Sequence, residues 1–163
     1  MRISPLFKGI ITAACMVSFS LLAYRYIATS SRLHYLVYAV YALGIIWTLV
    51  SYRLSPDFSG RFRDIFSNGF RCFIIATLIM AVYTFIFTKS HPEFAEESSK
   101  AFREQLVAEK KPLTPTDMEA VDKQVARYKK SYSTTLVYGS IFGYLIIGAG
   151  LSAIGAALLT RRT

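Results

Sequence analysis

FRCFIIATLIMAVYTFIFT, Phe70 to Thr88, decides the fold of this chain. From Cys72 onward the run carries no charge, and as a helix rising 1.5 Å per residue it covers about 25 Å. A bilayer's hydrocarbon core is about 30 Å thick, so the run reads as a membrane-spanning helix with little to spare. Just before it, SNGFRCF, Ser67 to Phe73, places Arg71 at or just inside the membrane boundary. From that depth a long arginine reaches the headgroups with its stem in the hydrocarbon, which makes Arg71 a candidate interface anchor. The sharper reading is that Arg71 enters deeper and either meets Asn68 or holds an anionic lipid headgroup.

Three more segments have spanning length. The expected spans are about 6–26, 33–54, 68–88 and 134–159, within one four-pass membrane domain of residues 1–163. Only IATSSR joins the first two, which makes them an antiparallel hairpin. Residues of the first span could pass for a secretion signal ending at Cys15. An apolar region must precede such a cleavage site, however, and here the apolar run continues past it. The expected fold class is all-α, an integral membrane four-helix bundle with a polar helical insert between the third and fourth spans.

Composition agrees. Hydrophobic residues make up 53% of the chain, above the roughly 45–50% of soluble domains. The net charge is +9, but the basic residues flank apolar segments and do not form one polar domain, so they read as topology signals and not as a nucleic-acid surface. Arg2, Lys8, Arg53, Arg61, Arg63, Arg161 and Arg162 near the span ends outweigh Arg25 and Arg32 in the first connection. The expectation is cytoplasmic termini and a periplasmic long loop, although that loop is itself rich in Lys and Arg. Cys15 and Cys72 sit in or beside apolar runs with no metal or redox spacing.

The polar insert, about 90–132, is too long for a turn and needs structure of its own. Phe94, Ala101, Phe102 and Leu106 fall near helical spacing, and Pro112 ends that helix. TPTD, Thr114 to Asp117, resembles a capping box that opens a second helix at Pro115, one that can run on into the fourth span. Met118, Val121, Val125 and Tyr128 share one side of it and form a candidate partner face.

In the fourth span Gly139, Gly143, Gly148 and Ser152 have the small-residue spacing that lets helices approach closely, within the chain or between copies. Tyr35, Tyr38 and Tyr41 read as an aromatic belt at the membrane surface, with a polar cluster between helices as the alternative. There is no phosphate-binding glycine loop, no nucleophile beside a base, no histidine metal pair and no acid in a span core. This pattern implies neither an enzyme nor a cofactor. It leaves two expectations: a non-enzymatic interaction or assembly protein whose partners are the bilayer, a second copy or an envelope protein, or a small-molecule or lipid transporter component acting as an oligomer.

The order of segments resembles a family of small four-pass bacterial inner-membrane proteins, domain of unknown function 4199, found mostly in Bacteroidota. The resemblance rests on FRDIFSNGFRCFIIATLIMAVYTFIF, on the HPEF that opens the insert, and on GYLIIGAGLSAIGAALL followed by Arg161 and Arg162. It covers nearly the whole chain, although the insert's second half is more basic here, with Arg127, Lys129 and Lys130. It implies a bacterial inner membrane and carries over no activity or site.

Overall fold

A computed structural model describes residues 3–26, 33–109 and 115–160. The proposed cap at Thr114 and the terminal Arg161 and Arg162 lie outside them. The described residues form five helices: α1 Pro5–Tyr26, α2 Leu33–Arg53, α3 Phe62–Ser90, α4 Glu93–Glu109 and α5 Pro115–Leu159. Four of these, all but α4, are long and apolar enough to cross a membrane.

Two helices are longer than their apolar runs. α3 begins at Phe62, well before the expected start near Asn68, because the preceding turn nucleates it. Gly60 adopts a left-handed φ of 71° there, a conformation costly for a residue with a Cβ. The Ser59 hydroxyl accepts the Arg61 amide (3.2 Å) and donates to Asp64 Oδ2 (2.6 Å), and Arg61 pairs with Asp64 at 2.9 Å. α5 runs from the polar insert to the end of the fourth span without interruption. No Gly or Pro separates Tyr132 from Leu136, and Ser131 folds its hydroxyl onto the Arg127 carbonyl (3.1 Å), which keeps a polar residue compatible with helix.

The chain divides into two compact units, Met1–Ala81 with Ser140–Thr163, and Val82–Gly139. In the first, the fully buried side chains include Tyr41, Thr48, Cys72, Thr77 and Ser152, while Leu43, Leu78, Ile146 and Leu158 are more than half exposed. Phe73, Met16, Ile45 and Ile65 are buried beside them, so apolar side chains lie both between the helices and on the outer surface, which suits a hydrocarbon solvent.

Close backbone approach holds this unit together. A methyl on Gly9 would lie 2.6 Å from the Cys72 carbonyl oxygen, which brings α1 onto α3, and Gly44 abuts Thr12, which brings α2 onto α1. On α5, Gly148 faces Tyr41 and Phe73, Ser152 faces Gly69, and Gly155 faces Leu49. The hydroxyls of Thr12, Ser18 and Thr48 each donate to the carbonyl four residues earlier, so these polar side chains close on their own helices.

The second unit is a helical hairpin of α4 against the first half of α5. Phe102 stacks on Tyr128 with ring centroids 4.6 Å apart, and Val121 is completely buried. Arg103 pairs with Asp122 (3.0 Å) and Lys129 with Glu96 (2.8 Å) across the hairpin. At its mouth, His91 and Phe94 of HPEF form a ring cluster with Phe87, and His91 Nδ1 meets Glu93 Oε1 at 2.7 Å.

Candidate functional site

A polar concavity in the first unit is built from the start of α1, the last two turns of α2, the turn after it and the second turn of α3. It is an open recess of about 550 Å³. Trp47, Thr48, Ser51 and Tyr52 line it because steps of one, four and five residues fall on one side of a helix. Tyr52 ties the wall to the turn. Its hydroxyl donates to the Asp57 carbonyl (3.3 Å), and its ring meets Phe58 edge-on at 5.6 Å. Asn68 closes the α3 side, and its amide donates to the Asp64 carbonyl at 2.8 Å.

Lys8 enters this recess from α1. The residue is only 7% exposed, and its ammonium sits 5.4 Å from the centroid of the Trp47 ring. Among the described residues that ammonium has no ion pair and no hydrogen bond. A cation over an indole face gains about 0.5–2 kcal/mol, the upper value when it is desolvated, so Trp47 offsets part of the burial. Asp57 also lines the recess but is exposed and has an interaction of its own.

The sequence reading treated Lys8 only as a topology charge and missed this recess. The signal was there in part: Lys8 follows Leu6 and Phe7 and so lies inside the helix, and the end of α2 carries a polar stripe. What no linear reading supplies is the meeting of three helix ends.

The residues singled out from sequence are distributed differently. Arg71 is exposed and does not line the recess, whereas its neighbour Asn68 does. With α3 starting at Phe62, Arg71 lies about 14 Å along the helix axis. Gly148 and Ser152 occupy tight helix contacts, but a methyl on Gly139 would meet nothing within 4 Å, and one on Gly143 only the Tyr38 hydroxyl at 3.3 Å. The step from Gly143 to Gly148 rotates the helix by about 140° beyond a full turn, and the close contacts fall at Gly148 and Ser152.

The candidate partner face is largely covered by α4. Val121 is buried, Met118 and Val125 are half-buried, and Tyr128 stacks on Phe102. A surface used inside the hairpin is not open to a partner in this arrangement. Tyr35, Tyr38 and Tyr41 do not form one belt either: Tyr35 is 74% exposed, Tyr38 is half-buried, and Tyr41 is fully buried with its hydroxyl bonded to α3 and α5. Six residues of helix set Tyr35 and Tyr41 about 120° apart around the axis, which puts them on different faces.

Within the hairpin, the Lys129 ammonium holds the Glu96 carboxyl below its ordinary range. The Glu93 carboxyl is likewise held low, first by its own backbone amide at the start of α4 and then by His91. Among the described residues no cluster of three or more His, Cys, Asp or Glu could hold a metal ion.

Five helices, four of them of membrane-spanning length and composition, with a polar helical pair between the third and fourth, define an all-α multi-pass membrane protein. The chain belongs to the family described as Protein of unknown function (DUF4199), whose model matches residues 8–161. No curated protein and no solved structure matches it.

Proposed function

We propose that this is a non-enzymatic interaction or assembly protein of a bacterial inner membrane, with cytoplasmic termini and its helical hairpin on the periplasmic side. The hairpin is the recognition element, and it contacts a partner protein, a second copy or the headgroup surface. The observation that supports this reading is that α4 and the first half of α5 use their apolar side chains against each other. Phe102 on Tyr128 and the buried Val121 leave charge as what the hairpin presents outward. Arg127 and Lys130 are exposed and make no ion pair among the described residues. They lie three residues apart, on neighbouring positions of one helix face. A partner would therefore meet a basic stripe, not the apolar face that sequence alone points to.

The test is photocrosslinking from positions 127 and 130 in native membranes, repeated with Arg127→Glu and Lys130→Glu at the other position. One reproducible protein adduct that charge reversal abolishes supports a protein partner or a second copy, and lipid adducts support the headgroup surface. Adducts only within the chain would sink the proposal.

A second reading, a small-molecule or lipid transporter component acting as an oligomer, draws support from the recess beside Lys8. The hydroxyls of Thr12, Ser18 and Thr48 weigh against a polar path, since each is closed on its own helix.

A further inference from the structure

Burying a lysine whose ammonium has no acceptor is unfavourable unless something compensates. An ordinary interfacial lysine escapes by extending its stem to water. Lys8 is 7% exposed and keeps its ammonium over the Trp47 ring at the wall of the recess, so the access its charged end retains is to that recess. The same wall provides hydrogen-bond donors. Ser51 and Ser55 line it with hydroxyls that donate no hydrogen bond among the described residues, and Ser55 only accepts one, from the Asp57 amide at 3.2 Å. The first turn of α1, at Ser4 and Pro5, adds the positive end of a helix. Asp57, the acid on the same wall, has an interaction of its own.

We propose that this recess is an anion-binding site for a phosphate ester, with Lys8 as its charged ligand, Ser51 and Ser55 as neutral donors and Trp47 as the apolar wall. Its volume of about 550 Å³ lies within the usual range of roughly 300–1,000 Å³ for ligand pockets and exceeds what a phosphate group needs. The remaining space suits the glycerol or other polar part of an ester. A phospholipid headgroup and a soluble phosphate ester present the same chemistry to Lys8. The location, at the ends of α1 and α2, is also where the headgroups of a surrounding bilayer lie. No lining residue belongs to the hairpin, and the proposal does not depend on the hairpin's role in recognition.

Trp47 is the sole tryptophan, so its emission reports on the recess alone. The protein is purified in maltoside micelles, which contain no phosphate, and titrated in separate arms with dioctanoyl phosphatidylglycerol and with glycerol 3-phosphate. A saturable change in Trp47 emission is expected. Response to both probes identifies the phosphate ester as sufficient, and response to the lipid alone identifies a headgroup with its acyl chains as the source. Lys8→Gln should weaken the apparent affinity at least about tenfold, as loss of a charge-assisted contact does, while Lys8→Arg should stay within about threefold. Ser51→Leu, which fills the recess without touching the charge, should also abolish the response and serves if Lys8→Gln fails to fold. Arg71→Gln, outside the recess, should titrate as the wild type does. The proposal is overturned by the absence of a saturable response to either probe, by wild-type affinity in Lys8→Gln or Ser51→Leu, or by loss of binding in Arg71→Gln with Lys8→Gln unaffected.

Discussion

The Tyr41 hydroxyl reaches across from α2 to donate a 2.9 Å hydrogen bond to the Tyr144 carbonyl of α5. Its one proton is committed there, so the Thr77 hydroxyl of α3 donates to the Tyr41 oxygen at 3.2 Å. The reach is possible because Gly148, one turn beyond Tyr144, has no side chain. A methyl there would collide with the Tyr41 hydroxyl and lie 2.7 Å from the Phe73 ring. Three span helices are thus joined through one phenol at a glycine notch.

Two substitutions separate the bond from the notch. Tyr41→Phe removes the hydroxyl and keeps the ring. Thermal unfolding in detergent should show a loss of about 0.5–1.5 kcal/mol, towards the low end where membrane hydrogen bonds are usually measured. Gly148→Leu forces α5 away from both neighbours and should cost more, about 3 kcal/mol or over, as overpacking at a close contact does. Equal effects from the two would mean that the notch has no packing role of its own.

Ser152 offers the opposite expectation. Its hydroxyl is buried with no hydrogen-bond partner among the described residues, and its side chain lies against Gly69, where a methyl would be 2.6 Å from Oγ. Ser152→Ala removes an unsatisfied polar atom at almost constant volume, so stability should hold or rise by up to about 1 kcal/mol. Ser152→Leu should unfold the contact. Gly139→Leu, where nothing lies within 4 Å, should be neutral or slightly stabilising through helix propensity alone. If Gly139→Leu instead weakens self-association measured by crosslinking while the fold persists, that glycine serves a second copy.

The spans were legible because crossing hydrocarbon requires an uninterrupted apolar length, which is a one-dimensional property of a chain. Helix junctions were less so. α3 takes its start from the Ser59, Gly60 and Asp64 turn and not from the first apolar residue, and α5 lacks any cap at the point where polar sequence becomes apolar. Burial within a span was least legible. Tyr35 and Tyr41 are alike in sequence context, yet one is exposed and the other fully buried, since only neighbouring helices distinguish their faces. The recess depends on the same missing knowledge, because Lys8, Trp47 and Asn68 belong to three different helices.

The stacking of Lys8 over Trp47 predicts a graded response to ring chemistry. Trp47→Phe keeps a π face, although a weaker one, and Trp47→Leu keeps only apolar volume. Chemical unfolding in detergent should rank the wild type above Phe and Phe above Leu, with a total span of about 0.5–2 kcal/mol. In a Lys8→Met background the ranking should collapse to the difference in ring packing alone. An unchanged ranking there would show that the cation contributes nothing to this wall.

The hairpin should respond to acid through Glu96. Its carboxyl is held below the ordinary value of 4.5, chiefly by the hydrogen bond from Lys129. A carboxylate with a depressed folded-state value contributes stability above its unfolded value, and that contribution is lost as the pH falls through the folded value. Little change is therefore expected between pH 7 and about 5, with loosening only below 4.5. A fluorotyrosine at position 128 reads this out, because its ring is stacked on Phe102 between the two helices. The effect should be modest, since both partners are largely exposed and salt screens such pairs. Glu96→Gln should show part of the shift already at pH 7 and a smaller acid response. A full acid response in that variant would assign the transition to another carboxylate, Glu93 first, which is also held low.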